Sequence, residues 1–540
     1  MKKHIWHAIT ISGIVIASVP FVRGGAKPDT LKPQFHTTDR CVACHNGLTT
    51  KAGEDISIGL DWRPSMMANS SRDPYWQASV RRESIDHPES KPAIEDECSV
   101  CHMPIIHLQA KREGRKAEVF AHLPFNPDNK DNAAAEDGVS CSVCHQIAKE
   151  NLGTPETFNG AFKVNDPATG NHRLEYGPFA IDAGHQRVMQ SSTGGFLPTE
   201  AAHIRDSALC GTCHTLSTQA LGPDGKKIGS FPEQMPYLEW LHSNYPGKSS
   251  CQSCHMPEVH EEVAVTSVLG PPRAGMRRHE FVAANFFMQH MLNKYRGDLS
   301  VSALPQELTS AAGRTVAFLR TQSARVSIRN LESSSSRLTM EVFVENLSGH
   351  KLPTAYPSRR AWLHVAIRDA SGRTVFESGG LNPDASIKGN DNDTDPLRFE
   401  PHYREITNPE QVEIYEPILK DSAGHVTTGL LSAVGYLKDN RILPSGFSKQ
   451  TADKDIAVIG EAANDPNFTD KGSLIRYSVS TGDAPGPFHI EAELWYQPIG
   501  FRWAHNLAPY REAEPQRFVT YYDSMSSGTA VLLARAEATR

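Results

Sequence analysis

Five stretches of this chain read Cys-x-x-Cys-His: Cys41, Cys44 and His45; Cys98, Cys101 and His102; Cys141, Cys144 and His145; Cys210, Cys213 and His214; Cys251, Cys254 and His255. On one helical turn, positions i, i+3 and i+4 share a face, so each motif aims two thiols and an imidazole at one flat ligand. The motifs use all ten cysteines of the chain, leaving none for a disulfide, a nucleophile or a redox switch. Structural zinc joins CxxC pairs two by two, and five pairs cannot be divided so. Neither zinc, a disulfide framework nor a thioredoxin-like CxxC accounts for a histidine directly after every pair. The pattern is the attachment signature of c-type haem, with the thiols as thioethers on the vinyl groups and the histidine as proximal iron ligand. Five motifs imply five covalently bound haems.

At 540 residues the chain exceeds one core and is expected to divide into domains. A net charge of −7, made more negative by haem propionates, together with the lack of a basic stripe, argues against a nucleic-acid partner. The N-terminus reads as an export signal over residues 1–26: Lys2 and Lys3 precede a mostly apolar run, 5–22, and Gly24, Gly25 and Ala26 supply a small-residue cleavage site. Export suits thioether attachment, which in bacteria takes place outside the cytoplasmic membrane, so a periplasmic or extracytoplasmic protein is expected. The alternative is an uncleaved anchor, since 5–22 nearly reaches spanning length; contact with a membrane is expected only in that case.

From 27 to 298 the texture is that of a multihaem domain, with short helices, many loops and motif starts 57, 43, 69 and 41 residues apart. Each porphyrin is wrapped by a few dozen residues, so the haems must lie close together. Pro104 and Pro257, two residues past the second and fifth motifs, end the haem-bearing helices. Over 299–326, Pro305 followed by Leu308, Ala311, Ala312, Val316 and Leu319 predicts an amphipathic connecting helix. From 327 to 540 alternation takes over. Leu338, Met340, Val342 and Val344 share one face; Leu363, Val365 and Ile367 precede a turn at 369–372 and a return strand at 374–376; further strands are expected at 412–415, 474–479 and 488–496. The fold class is therefore α+β and multidomain, a mostly helical and loop-rich multihaem domain followed by an antiparallel β-sandwich-like domain.

Each iron needs a sixth ligand or an open face. Candidate distal histidines are His36 and His203, just ahead of the first and fourth motifs, and His122 and His279, in apolar or aromatic surroundings. His290 resembles these last two. His350, in Gly-His-Lys-Leu-Pro on a tight loop of the β half, is expected to reach back to a haem, which would explain why the β domain is fused here. Met66, Met67 and Met288 are candidate thioether ligands, each weighed against core filling, while Met103 and Met256 are expected to pack on porphyrin edges. Alternate oxygen side chains at Asp391, Asn392, Asp393, Thr394 and Asp395 offer a Ca²⁺ loop without the EF-hand glycine and distant glutamate, and a solvated acidic loop is the expectation.

The chain resembles the multihaem c-type cytochromes of the superfamily containing hydroxylamine oxidoreductase, octahaem tetrathionate reductase and the tetrahaem electron acceptor of hydroxylamine oxidoreductase, and most fully a group of exported bacterial cytochromes with a C-terminal β domain. Segments 65–76, 137–147, 203–214, 232–240, 279–288 and 349–376 carry the likeness. The resemblance implies mostly bis-histidine haems, some in stacked or edge-on pairs, and one open haem in enzymatic relatives. Some relatives use a CxxCK motif, which is absent here. Three readings follow. The first is a pentahaem electron carrier between quinol-linked donors and a terminal reductase or external acceptor. The second is an oxidoreductase with one open haem acting on a small nitrogen or sulfur compound. The third is a filament subunit whose β domain docks on the next protomer.

Overall fold

Helix starts in the motif half are set by proline and by short capping side chains. Asp73 accepts the backbone N–H groups of Tyr75 at 2.9 Å and Trp76 at 3.2 Å, opening the helix Pro74–Asp86. The second motif closes the helix Lys91–His102, and Pro104 then takes the first position of the next helix, Pro104–Arg112. The computed structural model describes residues 34–540 apart from 127, 129–131, 166–172 and 223. The expected signal segment 1–26 lies outside the described residues. Among those described, no helix is long and apolar enough to cross a membrane.

The other motifs lie on or beside one-turn helices, Thr38–Val42, Cys141–Cys144, Ser207–Gly211 and Cys251–His255. Helices this short have no stability of their own in water. They are held by packing, with Thr38–Val42 against Cys141–Cys144 and Ser207–Gly211 against Cys251–His255. The same half carries a hairpin, Leu216–Leu221 with Lys227–Gln234, and a parallel pair, Arg173–Gly177 with Phe196–Glu200. Sequence alternation did not mark these strands, because their burial is irregular.

The helix expected in 299–326 spans Pro305–Gln322, with Glu307 reaching back to accept the N–H of Leu304 at 2.9 Å. Its apolar face packs on the helix Phe286–Lys294. Beyond it are two antiparallel sheets and a smaller one. The first orders Ile414–Tyr415, Arg360–Arg368, His489–Gln497 and Val531–Thr539, with Thr374–Ser378 also on Arg360–Arg368. The second orders Phe468–Thr469, Gly472–Ser480, Arg337–Asn346 and Ala324–Ser333, with Glu405–Ile406 parallel to Gly472–Ser480. Leu338, Met340, Val342 and Val344 of one sheet and Leu363, Val365 and Ile367 of the other are all buried in one cluster. Period-2 alternation needs one buried and one wetter face, which Arg337–Asn346 has; Arg360–Arg368 is covered on both, with Trp362 and Ala366 as buried as Leu363 and Val365.

That cluster also contains Tyr75, Ala78, Phe286, Phe287 and Met288. The two halves on either side of 299–326 therefore share a core, and Phe35–Arg540 forms one unit. The C-terminal helix Ala513–Asp523 packs on Pro74–Asp86, where Arg81 donates to both Glu514 oxygens at 2.9 Å. The acidic stretch at 391–395 is not a solvated loop. It forms a short helix, Asp391–Thr394, and Asp393 is buried with a bidentate pair to Arg360 at 2.8 and 2.9 Å. An arginine fork takes the oxygens that the sequence offered to a cation.

Candidate cofactor cavity

All ten cysteines and the five motif histidines line one cavity of about 1950 Å³. A pocket for a single small molecule is about 300–1,000 Å³, so this one has room for several. The motifs cluster inside it. The thiols of Cys41 and Cys141 are within hydrogen-bonding reach of each other, as are Cys101 with Cys213 and Cys210 with Cys251. Cys144 lies near Cys213. The first motif thus neighbours the third, the third the fourth, and the fourth both the second and the fifth, an order no reading of the sequence supplies.

The imidazoles are set for metal binding. His45 Nδ1 donates to Val265 O at 2.6 Å, His102 Nδ1 to Ser70 O at 2.8 Å, His145 Nδ1 to Tyr176 O at 2.6 Å and His255 Nδ1 to Val282 O at 2.6 Å. A carbonyl only accepts, so the proton sits on Nδ1 and the Nε2 lone pair is free. Metal-bound histidines are oriented in this way. Burial lowers the pKa of each, to about 4 for His102 and His214, so they are neutral at physiological pH.

Two further histidines face the motif imidazoles. The rings of His145 and His279 have centroids 6.3 Å apart and planes 21° apart; those of His255 and His350 are also 6.3 Å apart, at 9°. Rings in face-to-face contact would sit much closer. An imidazole nitrogen is about 1.1 Å from its ring centroid and a metal–imidazole bond is about 2.0–2.1 Å, so two imidazoles opposed across one metal ion have centroids about 6.2–6.4 Å apart. His279 and His350 fit that geometry, and both line the cavity. Burial holds His279 down to about 3, with His145 adding to the effect, and lowers His350 as well.

Each opposing histidine is fixed by a network. Arg278 clamps the His279 segment by donating to Asp61 at 2.8 and 2.9 Å and pairing with Glu280 at 3.1 Å. The His350 loop is held through its backbone, with Asn346 Nδ2 and Ser348 Oγ donating to His350 O at 2.8 and 2.9 Å, and Lys351 N donating to Glu239 at 3.1 Å. Beneath it lies a fully desolvated ionic group, Lys351 with Asp439 at 2.7 Å, Asp439 with Arg441 at 2.8 Å, and Arg441 with Glu239 at 2.9 Å. Although burial alone would raise Asp439, Arg441 and Lys351 hold it well below the usual carboxylate range. Glu239 belongs to the helix Pro236–Leu241 of the motif half, so the group ties the β half's loop to the motifs. Gly349 allows the close approach, since a Cβ there would lie 3.2 Å from Trp240 and 3.3 Å from Tyr245.

The other candidate histidines are not part of the cavity lining. His36 Nε2 donates to Thr193 O at 3.0 Å, His203 Nε2 to Ile147 O at 2.8 Å, and His122 Nδ1 meets Asn132 Oδ1 at 3.2 Å. His290 is exposed, and Met288 and Met103 are buried in side-chain clusters, whereas Met66, Met67 and Met256 line the cavity.

No family model matches the chain, and no curated protein matches it. Among solved structures, it is similar to the crystal structure of a penta-heme cytochrome c552 from Thermochromatium tepidum, at 15% identity, with a TM-score of 0.51 and coverage of 94% of this chain and 100% of that one. The likeness is one of fold.

Paired thiols, neutral imidazoles with free Nε2 and two in-line partners fit a c-type haem at the motifs. Sequence reasoning missed the orienting carbonyls of Ser70, Tyr176, Val265 and Val282, because a backbone oxygen carries no residue signature. It also missed a polar wall near His214, formed by Asp73, Tyr75, Tyr356, Arg359 and Tyr496. There the buried Tyr496 Oη makes no hydrogen bond, and burial pushes Asp73 up to about 6.

Proposed function

We propose that the chain is a pentahaem c-type cytochrome that carries electrons in extracytoplasmic respiration, between a quinol-linked donor and a terminal reductase or external acceptor. Haem supplies the one-electron chemistry, and this chain's residues hold, order and insulate it. Cys41, Cys44, Cys98, Cys101, Cys141, Cys144, Cys210, Cys213, Cys251 and Cys254 form the thioethers. His45, His102, His145, His214 and His255 are the proximal ligands, with His279 and His350 completing the third and fifth sites. The observation that carries the reading is the two pairs of opposed imidazoles, each at 6.3 Å, inside a cavity lined by every motif. The adjacency of the motifs supports conduction, since electron transfer falls steeply with distance. The likeness in fold to a penta-heme cytochrome c552 agrees. Mass spectrometry of the polypeptide expressed with a haem maturation system tests it: a gain of about five porphyrin masses is expected, and no gain refutes it.

A second reading, an oxidoreductase with one open haem acting on a small nitrogen or sulfur compound, is favoured by the wall beside His214. Among the described residues no imidazole opposes His214 as His279 opposes His145, and the wall presents an arginine and an unbonded phenol. A high-spin ferric component that binds cyanide supports this reading, and purely low-spin spectra reject it.

A further inference from the structure

The five motifs do not share one electrostatic setting. Around the second, Glu97, Glu233, Glu83 and Glu95 are close enough to Cys98 to add to burial in opposing its ionisation. Glu83, Glu95 and Glu233 are buried, and Glu83, Glu97 and Glu233 line the cavity. Each buried carboxyl is held in place: Glu83 accepts the N–H groups of Leu430 and Leu431 at 2.8 and 3.3 Å, Glu95 accepts that of Phe120 at 3.0 Å, and Glu233 accepts from Gln234 Nε2 at 3.0 Å. Among the described residues, no lysine or arginine of the helices Pro74–Asp86 and Lys91–His102 or of the strand Lys227–Gln234 lines the cavity. Lys91, which pairs with Glu95 at 3.7 Å, and Lys227 are exposed, where water screens them, and Arg82 is turned to Asp86 and Thr428.

The fourth motif is set the other way. The thiols of Cys210 and Cys213 are shifted first by their neighbours Cys251 and Cys101 and then by burial. Burial, then His255 and Arg359, oppose protonation of His214. Arg359 lines the cavity, has no ion pair among the described residues, and donates through Nη1 to Thr354 O at 3.0 Å. Asp73 on the same wall is one carboxyl against that one guanidinium, and its charge is further taken up by the N–H groups of Tyr75 and Trp76. His214 is also the one motif imidazole whose Nδ1 meets no backbone carbonyl among the described residues, whereas the other four each have one. A carbonyl on Nδ1 makes an imidazole a stronger donor to its metal, so His214 is the weakest donor of the five.

Carboxylates in a wall of low dielectric favour the more positive ferric form of a nearby haem and lower its reduction potential, while a cation or a weaker axial donor raises it. The two motifs touch, since the thiols of Cys101 and Cys213 are within hydrogen-bonding reach. We propose that these side chains build a potential drop across that contact, with the second haem the poorer electron holder and the fourth the sink, so that electrons run from the second motif to the fourth. The inference rests on the reading of the motifs as haem sites. In the step, one electron leaves the ferrous second haem, which becomes ferric, and reduces the ferric fourth haem to ferrous; no proton or group moves. The fourth motif also neighbours the third and the fifth, so the sink lies where the routes meet.

The test is a potentiometric titration of the haem-loaded protein at pH 8, above the value of about 7 to which burial pushes Glu233, followed by the Soret band and by electron paramagnetic resonance. Glu233→Gln should raise the lowest-potential wave and Arg359→Gln should lower the highest. Each shift should be about tenfold in the equilibrium constant for reduction, which is about 59 mV for one electron, and the remaining waves should move much less. Glu97→Gln, at an exposed residue of the second-motif helix, should raise the same wave as Glu233→Gln by a smaller amount, and it serves where Glu233→Gln does not fold. Arg359→Lys keeps the charge and should keep the highest wave near its parent value. A wave sensitive to Glu233 or Glu97 that lies at or above the one sensitive to Arg359 overturns the proposal, as does a single wave that answers to both. An equal shift in Arg359→Lys and Arg359→Gln assigns Arg359 a structural role and also overturns it. A polypeptide without porphyrin fails the haem reading, whereas five porphyrins with every wave unmoved in these variants fail the potential drop alone.

Discussion

Replacing His350 by alanine removes the imidazole that faces His255 at 6.3 Å and leaves its loop anchored. The bonds that anchor the loop to the rest of the chain run to the backbone of residue 350 and to Lys351, at 2.8, 2.9 and 3.1 Å; the imidazole adds only a bond within the loop, from Nδ1 to Lys351 O at 2.9 Å. The ring is half-buried at the cavity wall, so truncation should cost less than a full core deletion, about 1–2 kcal/mol of stability. The protein should still fold and load its haems. With five motifs, loss of one sixth ligand converts one haem in five. Integrated electron paramagnetic resonance of the ferric protein should therefore lose about a fifth of the intensity expected for five low-spin haems and gain a high-spin signal. Added imidazole, free to enter the space left by the side chain, should restore the low-spin signal. His279→Ala should behave in the same way at the third motif. A variant with five porphyrin masses and an unchanged low-spin integral would refute the assignment of His350 as a ligand.

Lys351→Met removes one partner of the desolvated group around Asp439 and should destabilise by about 3–5 kcal/mol in urea titration, with partial high-spin character as the His350 loop loosens. His402 lies buried between Glu413 at 2.7 Å and Asp465 at 3.0 Å; burial opposes its charge, but the two carboxylates win and raise its pKa to about 9. A raised folded-state value means that its contribution is full below about pH 6.5 and is lost as pH climbs through about 9. The shift corresponds to about 3 kcal/mol, so denaturant unfolding at pH 6 and pH 10 should differ by that order in the parent and much less in His402→Leu. Leu494→Ala, at a fully buried position of the shared core, should cost about 2–5 kcal/mol. Its unfolding transitions followed by far-ultraviolet circular dichroism and by the Soret band should shift together; separate transitions would refute a common core.

Local rules decided much of this protein. The spacing of Cys41, Cys44 and His45 and of its four counterparts names the ligand chemistry, because an α-helical turn leaves only one way to share a face. Alternation at 338–344 marked a strand that the structure forms, since a half-buried strand must alternate, and the apolar residues at 363–367 marked another that is covered on both faces. The helix Ala513–Asp523 and the hairpin at 216–234 escaped notice because their burial comes from remote partners, Pro74–Asp86 and the cavity wall, and leaves no clean period.

The same limit applied at the site. From the sequence His36 and His203 were candidates for their place just ahead of a motif, His122, His279 and His290 for their apolar surroundings, and His350 for its tight loop in the β half. Only the tertiary structure brings His279 opposite His145 and His350 opposite His255, while His36 and His203 give their Nε2 protons to backbone carbonyls. Covalent attachment is a contract between neighbours in the chain and can be read along it. The opposition of His279 to His145 and of His350 to His255 is set by long-range packing, through Arg278 with Asp61 and Glu239 with Arg441, and such contacts are written in three dimensions.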